Sequence, residues 1–373
     1  MEIYYLNLFS VFIYGFFYEI HRTRQTRKAI CILITVQLIL ITGLRKYTVG
    51  VDTPQYYSLF NTLNRFGTDI FWNRSRDKFM LIYKAVNYFV WKCGGSFQSL
   101  LLIMAAIAII PVMYYIYNNS KNVFFSIFIY LSFNYYMYTL ITLRQSAAYG
   151  IILLSIPAIR SRNLMKFLLL LVIAIGFHIS AIFFLPAYWI YKIKINKITV
   201  IGFIVFGTIV WIFRLPLMNK LINFMFTDYQ VVISNSVNYL IMHVLVIMFA
   251  LVVRYFEKKN VTSIFCVEQY YKPLSKTDNY PFSLFDEDDF SLSLMMFGTI
   301  LMIFCTVSSN ALRITYFYTM QLVVLLPNMV KKIKNGKLIF MAEVICFIAC
   351  IYVFTQFLHG FSSQNMEYVP FWR

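Results

Sequence analysis

Long apolar stretches separated by short polar segments run along nearly the whole chain. A helix that crosses a bilayer needs about 20 predominantly apolar residues, and stretches of roughly that length, some of them shorter, recur throughout. The candidate spans are 2–18, 29–44, 97–117, 123–141, 144–159, 164–178, 179–191, 198–213, 237–253, 291–309, 312–330 and 338–358. Because a helix satisfies its own backbone groups in lipid, the pattern predicts an all-α polytopic membrane protein with about 12 transmembrane helices.

The composition agrees with a membrane protein. Of the 373 residues, 60% are hydrophobic and 13% are charged, whereas a soluble domain is about half apolar and about a quarter charged. The net charge of +18 is typical of nucleic-acid binding in a soluble protein, but in a membrane protein lysine and arginine collect in cytoplasmic loops. We therefore expect no nucleic-acid partner, and we treat residues 1–373 as a single transmembrane domain.

Basic clusters predict the orientation, because cytoplasmic loops carry an excess of lysine and arginine. The first cluster lies at 22–28, which places the beginning of the chain and the loop 45–96 outside. The later clusters then fall inside. This arrangement makes 214–236 a second outer loop and 254–290 a cytoplasmic loop.

The orientation depends on two further segments. The stretch between Lys78 and Lys92 extends about 20 Å as a helix, which is less than the roughly 30 Å hydrocarbon core. We therefore predict an interfacial helix over 79–92 at the outer face. Residues 164–191 must form a hairpin of two short helices that turns at His178. The alternative is one long tilted span with His178 near its middle.

Metal and nucleotide motifs do not occur in the sequence. The six cysteines are scattered and form no CxxC pair, so we expect small buried apolar side chains rather than a metal or disulfide framework. The acidic run at 286–289 lacks EF-hand spacing and histidines, which favours a solvated turn over a metal site. No GxxxxGK[ST], GxGxxG, HExxH or GxSxG motif is present. We expect no metal and no cofactor.

Three polar strings interrupt the apolar pattern, at 45–52, 143–147 and 177–181. Polar groups at membrane depth are costly and usually mark a site, and all three strings fall on the predicted outer face. In the first string, Asp52 follows Arg45 by seven residues, and a loop carboxylate beside arginines is suited to accept a proton from a sugar hydroxyl or to hold that hydroxyl in place. The alternative is an interfacial arginine followed by a turn-forming aspartate.

The remaining candidates add cationic and polar groups to the same face. Arg144, beside Gln145, matches phosphate oxygens in a bidentate way, although an arginine here also suits lipid headgroups. His178, with Ser180, is able to bind phosphate or shuttle a proton, and a satisfied core histidine is the alternative. Arg313 opens a later span at the same edge. Three arginines and a histidine on one side indicate an anionic ligand such as pyrophosphate.

Four strings resemble a known family: LRKYTVGVDTPQYY (Leu44–Tyr57), TLRQSAAYGIILLSI (Thr142–Ile156), FHISAIFFLPAYW (Phe177–Trp189) and NALRITYFY (Asn310–Tyr318). In these strings the chain resembles the EpsG family of polysaccharide-assembly membrane proteins, which is similar to the Wzy-type O-antigen and capsule polymerases. The strings follow the family's order and spacing over most of the chain. One departure is Asp77, followed by Lys78, where the family pattern tends to have a glutamate.

The resemblance implies a membrane glycosyltransferase that polymerises undecaprenyl-pyrophosphate-linked oligosaccharide repeat units into O-antigen, capsule or exopolysaccharide. It implies a GT-C-like architecture with an outer-face juxtamembrane helix in the bacterial inner (cytoplasmic) membrane, and an active site on the periplasmic or extracellular face. The expected catalytic residues are Asp52, His178 and Arg144. The expected substrate-binding residues are Arg45, Gln145, Ser180, Arg313, Tyr316 and Tyr56.

The expected partners are the lipid-linked oligosaccharide and, from the same pathway, a chain-length regulator and a flippase. Three alternatives stay open: a polysaccharide ligase, a transporter of lipid-linked sugar, and an accessory subunit. A ligase uses the same donor, so the sequence hardly discriminates it from a polymerase. A transporter favours paired repeats and a charged central cavity, whereas the ionisable residues here lie at one face.

Overall fold

The computed structural model describes residues 2–21, 23–73, 81–225, 237–258, 287–308, 311–333, 335–361 and 366–373. Within these ranges the regular elements are helices, together with one isolated β-bridge. Two of the helices are 3-10 helices, at Ile179–Phe184 and Ile303–Thr306. The α-helices are α1 (Glu2–Ile20), α2 (Arg24–Gly43), α3 (Thr53–Asn73), α4 (Leu81–Lys92), α5 (Phe97–Asn119), α6 (Val123–Ser132), α7 (Tyr138–Ile141), α8 (Leu143–Arg160), α9 (Leu164–Phe177), α10 (Ala187–Ile190), α11 (Lys197–Met225), α12 (Val237–Lys258), α13 (Glu287–Met302), α14 (Ala311–Thr319), α15 (Leu322–Lys332) and α16 (Gly336–Phe361).

The length and apolarity of these helices make the chain an all-helical polytopic membrane protein. Six candidate spans are found among the described residues: α2, α5, α11, α12, α16 and the segment of α13 that continues through its 3-10 turn. Shorter apolar helices occupy Val123–Ser132, Leu164–Phe177 and Ile179–Ile190. The predicted total of about 12 spans stays a prediction.

Each predicted span coincides with one helix or with two consecutive helical segments. The predicted span 123–141 is divided between α6 and α7, where Asn134 has a positive φ of 68°. The predicted hairpin is divided at His178, whose extended backbone (φ −153°, ψ 124°) separates α9 from the following 3-10 helix. The break at His178 is confirmed, whereas the choice between a hairpin and one long tilted span stays a prediction.

The predicted outer loop 45–96 contains more helix than the sequence indicated. The predicted interfacial helix corresponds to α4, a separate helix of 12 residues, and its position at the interface stays a prediction. The 21 residues of α3 were not predicted to be helical, and they form two helical segments joined by a kink at Gly67, which has φ 74° and ψ −171°. The predicted loop 214–236 is also partly helical, because α11 continues to Met225. Residues 226–236, and 259–286 of the predicted cytoplasmic loop, lie outside the described residues.

Side-chain caps set where several helices begin. Thr23 accepts a hydrogen bond from the Thr26 amide before α2, Asn122 from the Phe125 amide before α6, and Asn163 from the Lys166 amide before α9, at 3.0, 3.2 and 3.0 Å. Each cap satisfies one of the backbone donors that the first helical turn leaves without an intrahelical partner. Short polar residues between apolar runs therefore mark where these helices begin.

The described chain forms two compact units, Met1–Leu185 with Val344–Arg373, and Pro186–Glu343. In the first unit, α5 packs against α2 and α8, and α8 packs against α9. Gly150 makes the α5–α8 approach close, because a Cβ there would lie 2.9 Å from the carbonyl oxygen of Ala108. A tightly packed α8 gives the residues of its first turn a fixed position.

In the second unit, α13 packs against α12, α14 and α15. Of its candidate span, 72% is buried, whereas the corresponding figure for α11 is 6%. Because a helix that is apolar all round is suited to lipid or to a core, α13 is the core helix of this unit. The apolar surface of α11 is suited to lipid contact.

Residues 366–373 fold back onto the end of α2. Arg45 and Pro370 form the antiparallel β-bridge, with the Lys46 amide donating to the Val369 carbonyl at 2.8 Å and the Phe371 amide donating to the Leu44 carbonyl at 2.9 Å. The same segment is held at a second point, where the Tyr4 hydroxyl donates to the Met366 carbonyl at 2.9 Å. Two residue stretches at opposite ends of the sequence therefore form one local structure.

Candidate functional site

Arg45 is completely buried at the end of α2. Its guanidinium donates to the carbonyl of Thr42, to the carbonyl of Val49 at 3.2 Å, and to Thr53 Oγ1 and the Leu140 carbonyl at 3.4 Å each. A cation beside the last carbonyls of a helix is favourable with the helix dipole. The contacts tie the end of α2, the following loop and α7 together.

The loop after Arg45 depends on a glycine. Gly50 has φ +96°, and a Cβ at this position would lie 2.0 Å from the Leu140 carbonyl oxygen. Only glycine adopts this conformation at little cost and leaves room for such an approach. Burial lowers the pKa of Arg45 to about 10, partly offset by Tyr4, so the group remains a cation at neutral pH. In this structure Arg45 holds the loop that carries Asp52.

Asp52 ends that loop and begins α3. Its backbone carbonyl accepts from the amides of Gln55 and Tyr56 at 3.1 and 3.2 Å. Its carboxylate is half-buried and accepts from the Tyr56 hydroxyl at 3.4 Å. The short first turn of α3 therefore brings Asp52 and Tyr56 together.

Arg144 lies in the first turn of α8, against two tyrosine rings. Its guanidinium carbon is 5.0 Å from the ring centroid of Tyr56 and 5.3 Å from that of Tyr83. The two ring centroids are 5.7 Å apart. Contacts of this kind between a guanidinium and an aromatic face are attractive and hold the planar fork in one orientation. The two rings thus connect Asp52, on the loop, with Arg144, on α8.

Tyr83 comes from α4, and the sequence did not indicate it as a site residue. The helix α4 packs against α9 at Gly176, where a Cβ would lie 2.5 Å from Ile82 Cδ1. Tyr83, Asn87 and Val90 are buried on α4, at spacings that place them on one helical face. This spacing, visible in the sequence, would have predicted that Tyr83 points inward.

A second group of polar side chains begins at Gln145, the residue after Arg144 in the chain. Gln145 Nε2 donates to Ser180 Oγ at 3.0 Å, and Ser180 Oγ lies 2.6 Å from His178 Nδ1. The Ser180 amide also donates to His178 Nδ1, at 3.3 Å. Gln145 and Ser180 are buried and His178 is half-buried. Gln145 lies on α8 and Ser180 on the 3-10 helix, and His178 is the residue that precedes this 3-10 helix.

Six of the sequence-predicted site residues therefore lie in the first unit, in two sets of contacts that are linked by the adjacency of Arg144 and Gln145 in α8: Asp52, Tyr56, Arg144, Gln145, His178 and Ser180. Arg45 adjoins them through its loop. Arg313 and Tyr316 lie on α14 of the second unit, half-buried and buried respectively, and their roles stay predictions. Asp77 lies outside the described residues.

Within the acidic run at 286–289, Asp288 does not lie in the solvated turn that the sequence predicted, and Asp286 lies outside the described residues. Asp288 is buried, and its carboxylate is 3.0 Å from Lys332 Nζ and accepts from Asn328 Nδ2 at 3.2 Å. Asp289 forms an ion pair with Arg254. Buried carboxylates are paired because their desolvation is otherwise costly. Among the described residues, no group of three or more His, Cys, Asp or Glu is placed to hold a metal ion.

One protein family matches the chain over nearly its whole length. The model of the family described as EpsG family matches residues 28–371. This range contains all four strings on which the resemblance was based. No curated protein and no solved structure matches the chain.

Proposed function

The chain belongs to the EpsG family, and we propose that it polymerises lipid-linked oligosaccharide repeat units in the biosynthesis of a surface polysaccharide. The donor is a growing glycan on undecaprenyl pyrophosphate, and the acceptor is a hydroxyl of the next lipid-linked repeat unit. The observation that carries the proposal is that Arg144 and Asp52 both contact Tyr56, while His178 is linked through Ser180 to Gln145, the residue after Arg144, within one unit of an all-helical membrane protein.

Arg144 is the expected ligand of the donor pyrophosphate. A guanidinium matches two phosphate oxygens at once and keeps its charge at any relevant pH. The first turn of a helix also carries partial positive charge and amide donors that point outward. A cation in that turn is unfavourable for the isolated helix. The arrangement of Arg144 on α8 therefore favours binding of an anion, which is attracted by both the guanidinium and the helix N-terminus.

Asp52 and His178 supply the remaining steps. The bond between the terminal sugar carbon of the donor and its phosphate oxygen breaks, and the acceptor oxygen forms the new bond to that carbon. Asp52 orients the acceptor hydroxyl and accepts its proton. Arg144 and His178 stabilise the charge that builds on the leaving pyrophosphate. Because pyrophosphate leaves readily, positioning of the two substrates contributes strongly to the rate.

The setting of the reaction is part of the proposal. We place the site on the outer face of the bacterial cytoplasmic membrane, in a GT-C-like architecture with α4 at the interface. A flippase would supply the substrate and a chain-length regulator would set the polymer length. Arg313 and Tyr316 stay candidate substrate ligands, to be tested individually.

The test compares surface polysaccharide from a deletion strain complemented with wild type, with Arg144→Ala, and with Arg65→Ala as the matched control. Arg65 is an exposed arginine on α3. We expect a single-repeat band in place of the ladder for Arg144→Ala, and a normal ladder for Arg65→Ala, at equal amounts of protein in the membrane. Full-length polymer that stays on its lipid carrier would indicate a ligase instead. An unchanged ladder in Arg144→Ala would contradict the proposed mechanism.

A further inference from the structure

A backbone hydrogen bond to His178 shows which of its two ring nitrogens is the acceptor. The backbone amide of Ser180 is a donor only, and it points at His178 Nδ1 at 3.3 Å. Nδ1 must therefore accept. In a neutral imidazole one nitrogen carries the proton and the other accepts, so the proton of His178 lies on Nε2.

The side-chain contacts are compatible with this assignment. Gln145 Nε2 is also a donor only, and it points at Ser180 Oγ at 3.0 Å. Ser180 Oγ accepts this bond, and with Nδ1 as the acceptor the Ser180 hydroxyl directs its own proton to His178 Nδ1, 2.6 Å away. The backbone donor and the side-chain donor thus converge on the same nitrogen of the ring.

With Nδ1 engaged by the Ser180 amide and the Ser180 hydroxyl, the other ring nitrogen, Nε2, is the hydrogen-bond donor of the neutral imidazole.

The position of Gln145 links this arrangement to Arg144. The two residues are consecutive in the first turn of α8, where Arg144 contacts the tyrosine rings and Gln145 contacts Ser180. The same helical turn therefore orients a charged fork and, through Ser180, an imidazole. Any shift of that turn would displace both groups together.

We propose that Gln145 and Ser180 are positioning residues that fix His178 with its proton on Nε2, from which it donates to an oxygen of the donor pyrophosphate. This inference rests on the proposed function. It replaces the expectation that Gln145 and Ser180 contact substrate themselves, and of the two roles considered for His178 it assigns phosphate binding instead of proton shuttling. Second-layer hydrogen bonds commonly set which nitrogen of a histidine carries the proton.

The first test exploits two amide side chains of different length. A glutamine amide nitrogen falls near the position of Nε2, and an asparagine amide nitrogen falls near that of Nδ1. In the complemented deletion strain, we expect His178→Gln to keep polymer within about tenfold of wild type. We expect His178→Asn to lose about a hundredfold, which corresponds to loss of one hydrogen bond to a charged group. Equal polymer from the two variants, or more from His178→Asn, would overturn the inference.

The second test separates positioning from a merely structural role. Ser180→Ala should reduce polymer in the wild-type background, and it should add little to His178→Gln, because Ser180 acts through the imidazole. Two residues that act as a unit show such non-additive effects. An undiminished effect of Ser180→Ala in the His178→Gln background would contradict a positioning role. Ser155→Ala is the control, because it removes a buried hydroxyl that lies on α8 and not beside His178 in the chain. This variant should leave the amount of polymer nearly unchanged.

The Arg144→Ala variant distinguishes failure of this inference from failure of the proposed function. If Arg144→Ala abolishes the ladder while the order of the His178 variants is reversed, only the proton assignment is wrong. If Arg144→Ala and both His178 variants leave the ladder unchanged, the proposed function itself is wrong. Membrane levels of each full-length variant are compared by immunoblot, so that only variants with wild-type levels are interpreted.

Discussion

The guanidinium carbon of Arg144 lies 5.3 Å from the ring centroid of Tyr83. Tyr83 belongs to the short helix α4, and Arg144 to the first turn of α8. A helix too short to span the hydrocarbon core therefore contributes an aromatic ring that contacts the Arg144 guanidinium of the candidate site. The orientation of Arg144 depends on how α4 is packed as well as on α8.

Removal of the Tyr83 ring should weaken polymerisation. A cation–π contact contributes about 0.5–2 kcal/mol, so Tyr83→Ala should lower polymer roughly 2- to 30-fold. Tyr83→Phe keeps the ring and should retain most activity. The measurement is the ladder in the complemented strain, with Phe89→Ala as control, because Phe89 is 66% exposed on the same helix. An equal loss in Phe89→Ala would indicate damage to α4 instead of loss of the ring contact.

Substitution of Gly50 should destabilise the protein more than substitution of Gly94. Both glycines have positive φ, but a Cβ at Gly94 meets nothing within 4 Å, whereas one at Gly50 lies 2.0 Å from the Leu140 carbonyl oxygen. Gly94→Ala should cost about 1–2 kcal/mol from its backbone conformation alone, and Gly50→Ala clearly more. Thermal unfolding of the purified proteins in detergent measures the difference. Equal shifts in Tm would mean that the loop relaxes without cost.

The buried ion pair of the second unit should respond differently to single and double substitution. Lys332→Met leaves the Asp288 carboxylate buried beside an apolar side chain and should cost about 3–5 kcal/mol. Adding Asp288→Asn should recover a large part of that loss, because no buried charge then lacks its partner. Lys331→Met is the control and should cost less, since the Lys331–Glu343 pair is more exposed. Additive effects of the two substitutions in thermal unfolding would contradict the coupling.

The pH dependence of this pair follows from Lys332. Burial lowers the pKa of Lys332, but Asp288 and Glu257 outweigh that effect, so its pKa is raised above the ordinary lysine value. A raised pKa in the folded state means that the stabilisation is fully present below the ordinary lysine pKa. It is lost as the pH rises through the folded value, so this pair should not cause a change in stability near neutral pH.

The sequence predicted the helices well where apolar runs are long. The candidate span 97–117 coincides with α5, and the break at His178 follows from the position of a polar residue between two short apolar runs. The same reasoning missed α3, whose 21 residues mix apolar and polar side chains. An amphipathic helix of modest hydrophobicity resembles a polar loop when only span-length apolar runs are counted.

The candidate site was predicted by residue type and not by geometry. Arg144 and His178 were indicated because polar residues in apolar surroundings are unusual. The burial of Arg45 could not be predicted, because its acceptors include the carbonyl of Leu140, far along the chain. The pairing of Ser180 with Gln145 likewise depends on how α8 meets the 3-10 helix. Contacts between distant segments are set by packing, which a single sequence does not display.

The β-bridge between Arg45 and Pro370 makes the loop that carries Asp52 dependent on residues far along the chain. The backbone partners of Leu44 and Lys46 are Phe371 and Val369, which are translated long after them. The loop therefore lacks this support while the intervening residues enter the membrane, and a copy interrupted before Val369 lacks the backbone contacts on both sides of Arg45.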